Sequence, residues 1–160
     1  MKFIADAMLG TLARWLRALG YDVAYDPSLP DRILLRQARE EGRILLTRDT
    51  GLIVLRDVPE HVFIAHDELE KQIAQVFAAF EIIPEAGKFL TRCLACNGLL
   101  AAVKKASIKA EVPPFVYATQ KVFRRCPDCR RIYWEGTHVP RMAETLARLA
   151  AIGKPDESPH

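Results

Sequence analysis

Apolar positions in the first 80 residues follow two alternating rhythms. Short blocks at Lys2–Ala5, Asp22–Tyr25, Arg43–Thr47 and His61–Ala65 have the length and composition of buried strands. Between them, Met8, Leu9, Leu12, Leu16 and Leu19 recur at helical spacing, and Arg32–Glu41 and Glu68–Phe80 read as further helices. Gly20 and Gly42 stop the first two helices, and Asp31 is placed to cap the second. A short helix is expected near Leu52–Leu55. Strands alternating with helices predict an α/β fold, a parallel sheet with helices on both faces.

The rhythm breaks after Pro84-Glu85-Ala86-Gly87, which reads as a linker. Beyond it, Ala101–Ala110 suits a strand or a loop, and Val112-Pro113-Pro114-Phe115 is expected to break any regular element. Ile132–Trp134 reads as a strand and Val139–Leu149 as a short helix. The pattern therefore divides the chain at residues 1–86, 87–152 and a tail at 153–160.

Cysteine use sharpens that division. The four cysteines form two Cys-x-x-Cys pairs, Cys93/Cys96 and Cys126/Cys129. Four thiolates at this spacing suit one closed, structural Zn²⁺ site with no open position for catalysis; a redox dithiol is the rival reading. Charge divides the same way. Residues 1–91 carry 11 Lys/Arg and 14 Asp/Glu, and residues 92–160 carry 12 and 6. The second half is thus basic, which favours a polyanion partner over a merely solvated face only in combination with other features. No apolar run approaches the ~20 residues of a membrane span. Asp6 comes too early for a secretory signal, so a cytoplasmic protein is expected.

Parallel sheets bind ligands at the carboxyl ends of their strands. Asp6 and Asp49 sit at the carboxyl ends of predicted strands, and Asp31 opens the helix after another. Carboxylates converging on one spot need a cation, and hard oxygen ligands select Mg²⁺ or Mn²⁺. The plain alternatives are a cap at Asp31 and a turn at Asp49. In the second half, Lys104, Lys105, Arg124, Arg125, Arg130 and Arg131 are interleaved with Phe123, Tyr133 and Trp134. That mixture suits single-stranded nucleic acid. A small ribbon also needs aromatics in its own core, so at least one of Tyr133 and Trp134 is expected to be buried.

The stretch from Phe3 to Arg17 (FIADAMLGTLARWLR) resembles the opening signature of the Mut-seven-type C-terminal RNase family, a PIN-like nuclease domain joined to a zinc ribbon. Glu40–Asp49 (EEGRILLTRD) is similar to its second signature. Both cysteine pairs and Tyr133-Trp134-Glu135-Gly136-Thr137-His138 are similar to its ribbon half. The resemblance implies a metal-dependent ribonuclease acting on single-stranded RNA, with Asp6, Asp31 and Asp49 around Mg²⁺ or Mn²⁺. Asp67 is the candidate fourth acid, with Asp57 behind it. Arg14 and Arg48 are candidates for substrate phosphate, and a homodimer is a candidate assembly. Two other functions stay open: a non-catalytic RNA- or ribosome-associated module with a vestigial acidic site, and a toxin-like ribonuclease controlled by a protein partner.

Overall fold

The computed structural model describes residues 1–134 and 139–154, the side chains of 139–141 excepted. Glu135-Gly136-Thr137-His138 and most of the expected tail lie outside the described residues.

Four strands, β1 (Lys2–Ala5), β2 (Asp22–Tyr25), β3 (Ile44–Thr47) and β4 (His61–Phe63), form one parallel sheet in the order β2-β1-β3-β4. They are joined by α1 (Gly10–Ala18), α2 (Asp31–Glu40) and α3 (Thr50–Ile53), and α4 (Leu69–Phe80) follows. The strand pleat sorts the side chains. Phe3, Ala5, Ile44 and Leu46 face one layer, with Leu12, Leu16, Ile73 and Phe77 of α1 and α4. Ile4 and Leu45 face the other, with Leu34, Leu35 and Ala38 of α2 and Leu52 of α3. Both faces are covered, which is why the strands read as unbroken apolar blocks and not as alternation. β4 is an exposed edge with its own closure: the Gln75 side chain accepts from Ala65 N and donates to Phe63 O, and Gln72 donates to His66 O. These bonds divert the chain after Ile64, so the strand ends earlier than expected.

The second half holds a three-stranded antiparallel sheet of β5 (Ala101–Val103), β6 (Phe123–Arg125) and β7 (Ile132–Trp134). Its core is small: Ile108, Val112 and Phe123 are buried, with Trp134 and Tyr117 packed at the margin. Tyr133 and Trp134 are both only half-buried, so Phe123 is the aromatic that fills the ribbon. The Pro113-Pro114 pair does not break structure as expected. It starts α5 (Pro114–Thr119), because proline at the first helical position lacks an N–H that would have no partner there anyway. Asp31 likewise is not a cap. Pro30 holds that position with no side-chain bond, and Asp31 is the first residue of α2, where its charge suits the helix dipole.

The last helix, α6 (Val139–Ile152), is longer than its pattern suggested and returns to the first half. Leu146, Leu149 and Ala150 join the core made by α1 and α4. A second attachment lies at the amino end of β2. Asn97 Oδ1 accepts from Val23 N at 3.0 Å and Asn97 Nδ2 donates to Asp22 Oδ1 at 2.7 Å. Arg43 also donates to Asp22, at 2.7 Å, and Arg92 stands 4.0 Å from it. Burial opposes the Asp22 charge, but the bonds from Arg43 and Asn97 outweigh it and hold the carboxyl below its ordinary value. A carboxyl lowered in the folded state contributes stability above its unfolded pKa of about 3.9 and loses it as pH falls through the folded value. Denaturant midpoints at pH 5 and pH 3 are therefore expected to differ more for the native chain than for Asp22→Asn. Equal differences would mean that the contact carries no charge-dependent stability.

Candidate functional site

The strand order reverses between β1 and β3: the chain goes to one side for β2 and to the other for β3 and β4. The carboxyl ends of β1 and β3 therefore flank the switch-point crevice of the sheet. Asp6 leaves β1 there and Thr47-Arg48-Asp49 leaves β3. Asp6 is buried at 5% exposure, and its backbone N–H donates to Leu46 O. Its carboxylate accepts three bonds: Met8 N to Oδ1 at 2.9 Å, and Thr47 Oγ1 at 2.5 Å and Arg48 N at 2.8 Å to Oδ2. Thr47 Oγ1 in turn accepts from Asp49 N at 2.9 Å. Thr47 therefore links the Asp6 carboxylate to the backbone of Asp49. The Asp49 carboxylate caps α3 through Oδ1 and Gly51 N, leaving Oδ2 without a described bond.

The remaining acids are less gathered. Asp31 stands exposed at the head of α2, which packs on β1 and β3. Asp67 is exposed and paired with Arg48 at 2.6 Å; the same guanidinium donates to His66 O. Arg48, a candidate for substrate phosphate, is thus engaged by the protein's own groups. Among the described residues, the four cysteines are the only set of three or more Cys, His, Asp or Glu side chains placed to share one ion. Asp6, Asp31, Asp49 and Asp67 do not form a ready-made cage. Asp6 and Asp49 offer hard oxygen donors of the kind Mg²⁺ takes, one or two carboxylates beside water and substrate phosphates.

The cysteine centre is fully assembled. All four Sγ atoms lie within 4.8 Å of one another, with Cys93–Cys129 at 3.6 Å and Cys96–Cys126 at 3.3 Å. These distances are far beyond a disulfide and near the about 3.8 Å expected between sulfurs on a Zn²⁺ tetrahedron. Asn97 takes a left-handed backbone (φ 76°), and Gly98 follows because a Cβ there would lie 2.9 Å from Cys126 Sγ and 2.5 Å from Asp128 Oδ2. Tyr133 Oη accepts from Leu94 N and lies 2.9 Å from Cys93 Sγ. Burial would raise the Cys93 thiol, but bonds from Tyr133 and the backbone of Cys96 and Ala95 bring it down to about 6. Burial and the neighbouring sulfurs Cys126 and Cys129 push Cys96 up to about 12.

Arg17, which the sequence did not single out, links this centre to the sheet. It is buried at 4% exposure, with Nε donating to Val23 O at 2.9 Å and Nη1 to Leu94 O at 3.0 Å. No described carboxylate lies within ion-pair distance of it; the nearby negative groups acting on its charge include Cys96 and Cys93. The only sequence signal was its place four residues after buried Ala13 on α1.

The expected RNA-contact residues separate into bound and free. Arg125 pairs with Glu111, Lys105 lies 4.8 Å over the Tyr117 ring, and Arg124 donates to Leu90 O. Arg14, Lys104, Arg130 and Arg131 are exposed and make no described side-chain bond.

A parallel α/β sheet with paired acids at its switch point, attached to a four-cysteine ribbon, defines the class to which the chain conforms. The chain belongs to the Mut7-C RNAse domain family, whose profile matches residues 1–146. Neither curated proteins nor solved structures offer a significant match. No helix among the described residues is long and apolar enough to cross a membrane.

Proposed function

We propose that the protein is a metal-dependent endoribonuclease acting on single-stranded RNA. The observation that carries this reading is the Asp6–Thr47–Asp49 linkage at the switch point of a chain in an RNase family. Asp6 and Asp49 would hold Mg²⁺ or Mn²⁺, with Asp31 and Asp67 at the rim. The ion supplies water activation and charge neutralisation at the phosphodiester. The protein's own part is orientation. Three donors fix the Asp6 carboxylate, and the α3 cap fixes Asp49, so neither group has to be ordered when substrate arrives.

Cys93, Cys96, Cys126 and Cys129 would hold one structural Zn²⁺, and the exposed cations of the ribbon would contact RNA phosphates. A reducing cytoplasm agrees with four free thiols ligating metal. One observation favours the non-catalytic alternative: Asp31 and Asp67 are not gathered with Asp6. Labelled single-stranded RNA separates the two. After removal of loosely bound divalent ions, zinc-replete protein is expected to cleave internally only when Mn²⁺ or Mg²⁺ is restored. Binding without cleavage under both ions would establish the alternative.

A further inference from the structure

The structure brings together two arginines that lie far apart in sequence. A cleft of about 310 Å³ at the junction of the two halves is lined by Arg14, Leu94, Ala95, Arg131, Ile132 and Tyr133. Among the described residues its charged lining is Arg14, from α1, and Arg131, two residues after Cys129. Both are exposed, and neither has an acid within ion-pair distance among the described residues. Arg36, Arg43, Arg48, Arg125 and Arg148 are all paired by contrast.

Both positions are anchored from below. Arg17, one turn after Arg14, bonds Leu94 O and so holds the first cysteine pair against α1. Arg131 O accepts from Cys126 N, which ties its backbone to the second pair. The cleft is therefore built before any ligand arrives, and little backbone ordering is left to oppose binding.

The cleft is offset from the acids. Asn97 attaches the ribbon at the amino end of β2, whereas Asp6 lies past the carboxyl end of β1. The route between them is α1. Arg14 is eight residues beyond Asp6, past a 3-10 turn at Ala7–Leu9 and within α1. Thr11 and Arg14, three residues apart on α1, are both exposed, and α1 contains no acid. An anionic strand thus meets no acid along α1 on its way to the cleft.

We infer that Arg14 and Arg131 form a composite phosphate-binding cleft for single-stranded RNA, holding the strand away from the cleaved bond along α1. This rests on the ribonuclease reading, but its test does not depend on cleavage. Zinc-loaded Asp6→Asn protein is titrated against a fluorescent single-stranded RNA of about 12 nucleotides, across a salt series. Arg14→Ala and Arg131→Ala are each expected to weaken binding about tenfold and to lower the salt slope by about 0.7, the value for one phosphate contact on a single strand. Because both side chains are exposed and unbonded, thermal midpoints should not move. Lysine at either position should restore the slope. Unchanged affinity and slope in both alanine variants would overturn the cleft. Native protein that cleaves RNA with KM indifferent to both substitutions would overturn the cleft and leave the nuclease standing. Binding that needs both arginines, without cleavage by the native chain, would leave the cleft and remove the nuclease.

Discussion

Asp6→Asn is expected to abolish RNA cleavage while leaving the protein folded. The native carboxylate offers two oxygens to three donors: Met8 N, Thr47 Oγ1 and Arg48 N. Asparagine keeps one oxygen. If it faces Thr47 and Arg48, the new NH₂ points at the Met8 N–H, and one bond is lost at about 1–3 kcal/mol. That is survivable within the roughly 5–15 kcal/mol of an ordinary domain. The ionic ligand is not survivable. Loss of even an outer partner of a metal ligand costs about 10–100-fold, so loss of the ligand itself should exceed about 100-fold in initial rate. Asp49→Asn provides a cleaner companion, because asparagine caps a helix as well as aspartate does and α3 should be untouched. Comparable losses in both variants, measured across a Mn²⁺ titration, would tie both acids to the ion. Asp31→Asn and Asp67→Asn then report whether the rim acids close on the ion with substrate. Cleavage by Asp6→Asn at the native rate would place the chemistry elsewhere.

The parts of this site that the sequence disclosed are those with local causes. Asp6 and Asp49 are visible because an acid within two residues of a short, largely apolar block must sit where a buried strand emerges. The cysteine pairs are visible because ligand spacing is itself the signal. Thr47 was not visible as a link, since a threonine ending a strand looks the same whether its hydroxyl bonds a neighbour or an acid 41 residues away. Asn97 looked like half of a turn, and it is, but its side chain also holds the edge of β2 from 74 residues along the chain. Pro113-Pro114 misled because the rule against proline concerns helix interiors, and these residues begin a helix. The return of α6 to the first core was hidden for a related reason. An apolar stripe shows that a helix is buried but not on what.

Removing the metal from the cysteine centre is expected to loosen residues 91–134 first and then the end of α1. Among the described residues the ribbon's own core has three buried apolar side chains, far too few to fold a unit of that size alone. Structural zinc contributes an apparent 10–16 kcal/mol or so in small zinc-binding peptides, so a metal held here would be the ribbon's main source of stability. The effect crosses into the first half through Arg17. Four thiolates with Zn²⁺ would carry a net charge of about −2, and Arg17 lies buried with two carbonyl bonds and no described carboxylate within ion-pair distance, its charge favoured by Cys96 and Cys93 ahead of Asp22. An uncompensated buried cation costs several kcal/mol. Once the thiolates reprotonate or disperse, that cost falls on the last turn of α1. Hydrogen exchange at Leu16–Gly20 should therefore quicken on chelation, along with exchange in the ribbon. Arg17→Met should weaken metal binding by about 10–100-fold, read from the thiolate absorption of Co²⁺-substituted protein under competition. Arg17→Lys, which keeps the charge but not the fork, should lose less. If exchange in α1 is the same with and without metal, the centre staples the ribbon alone and Arg17 is only a hydrogen-bonding strut.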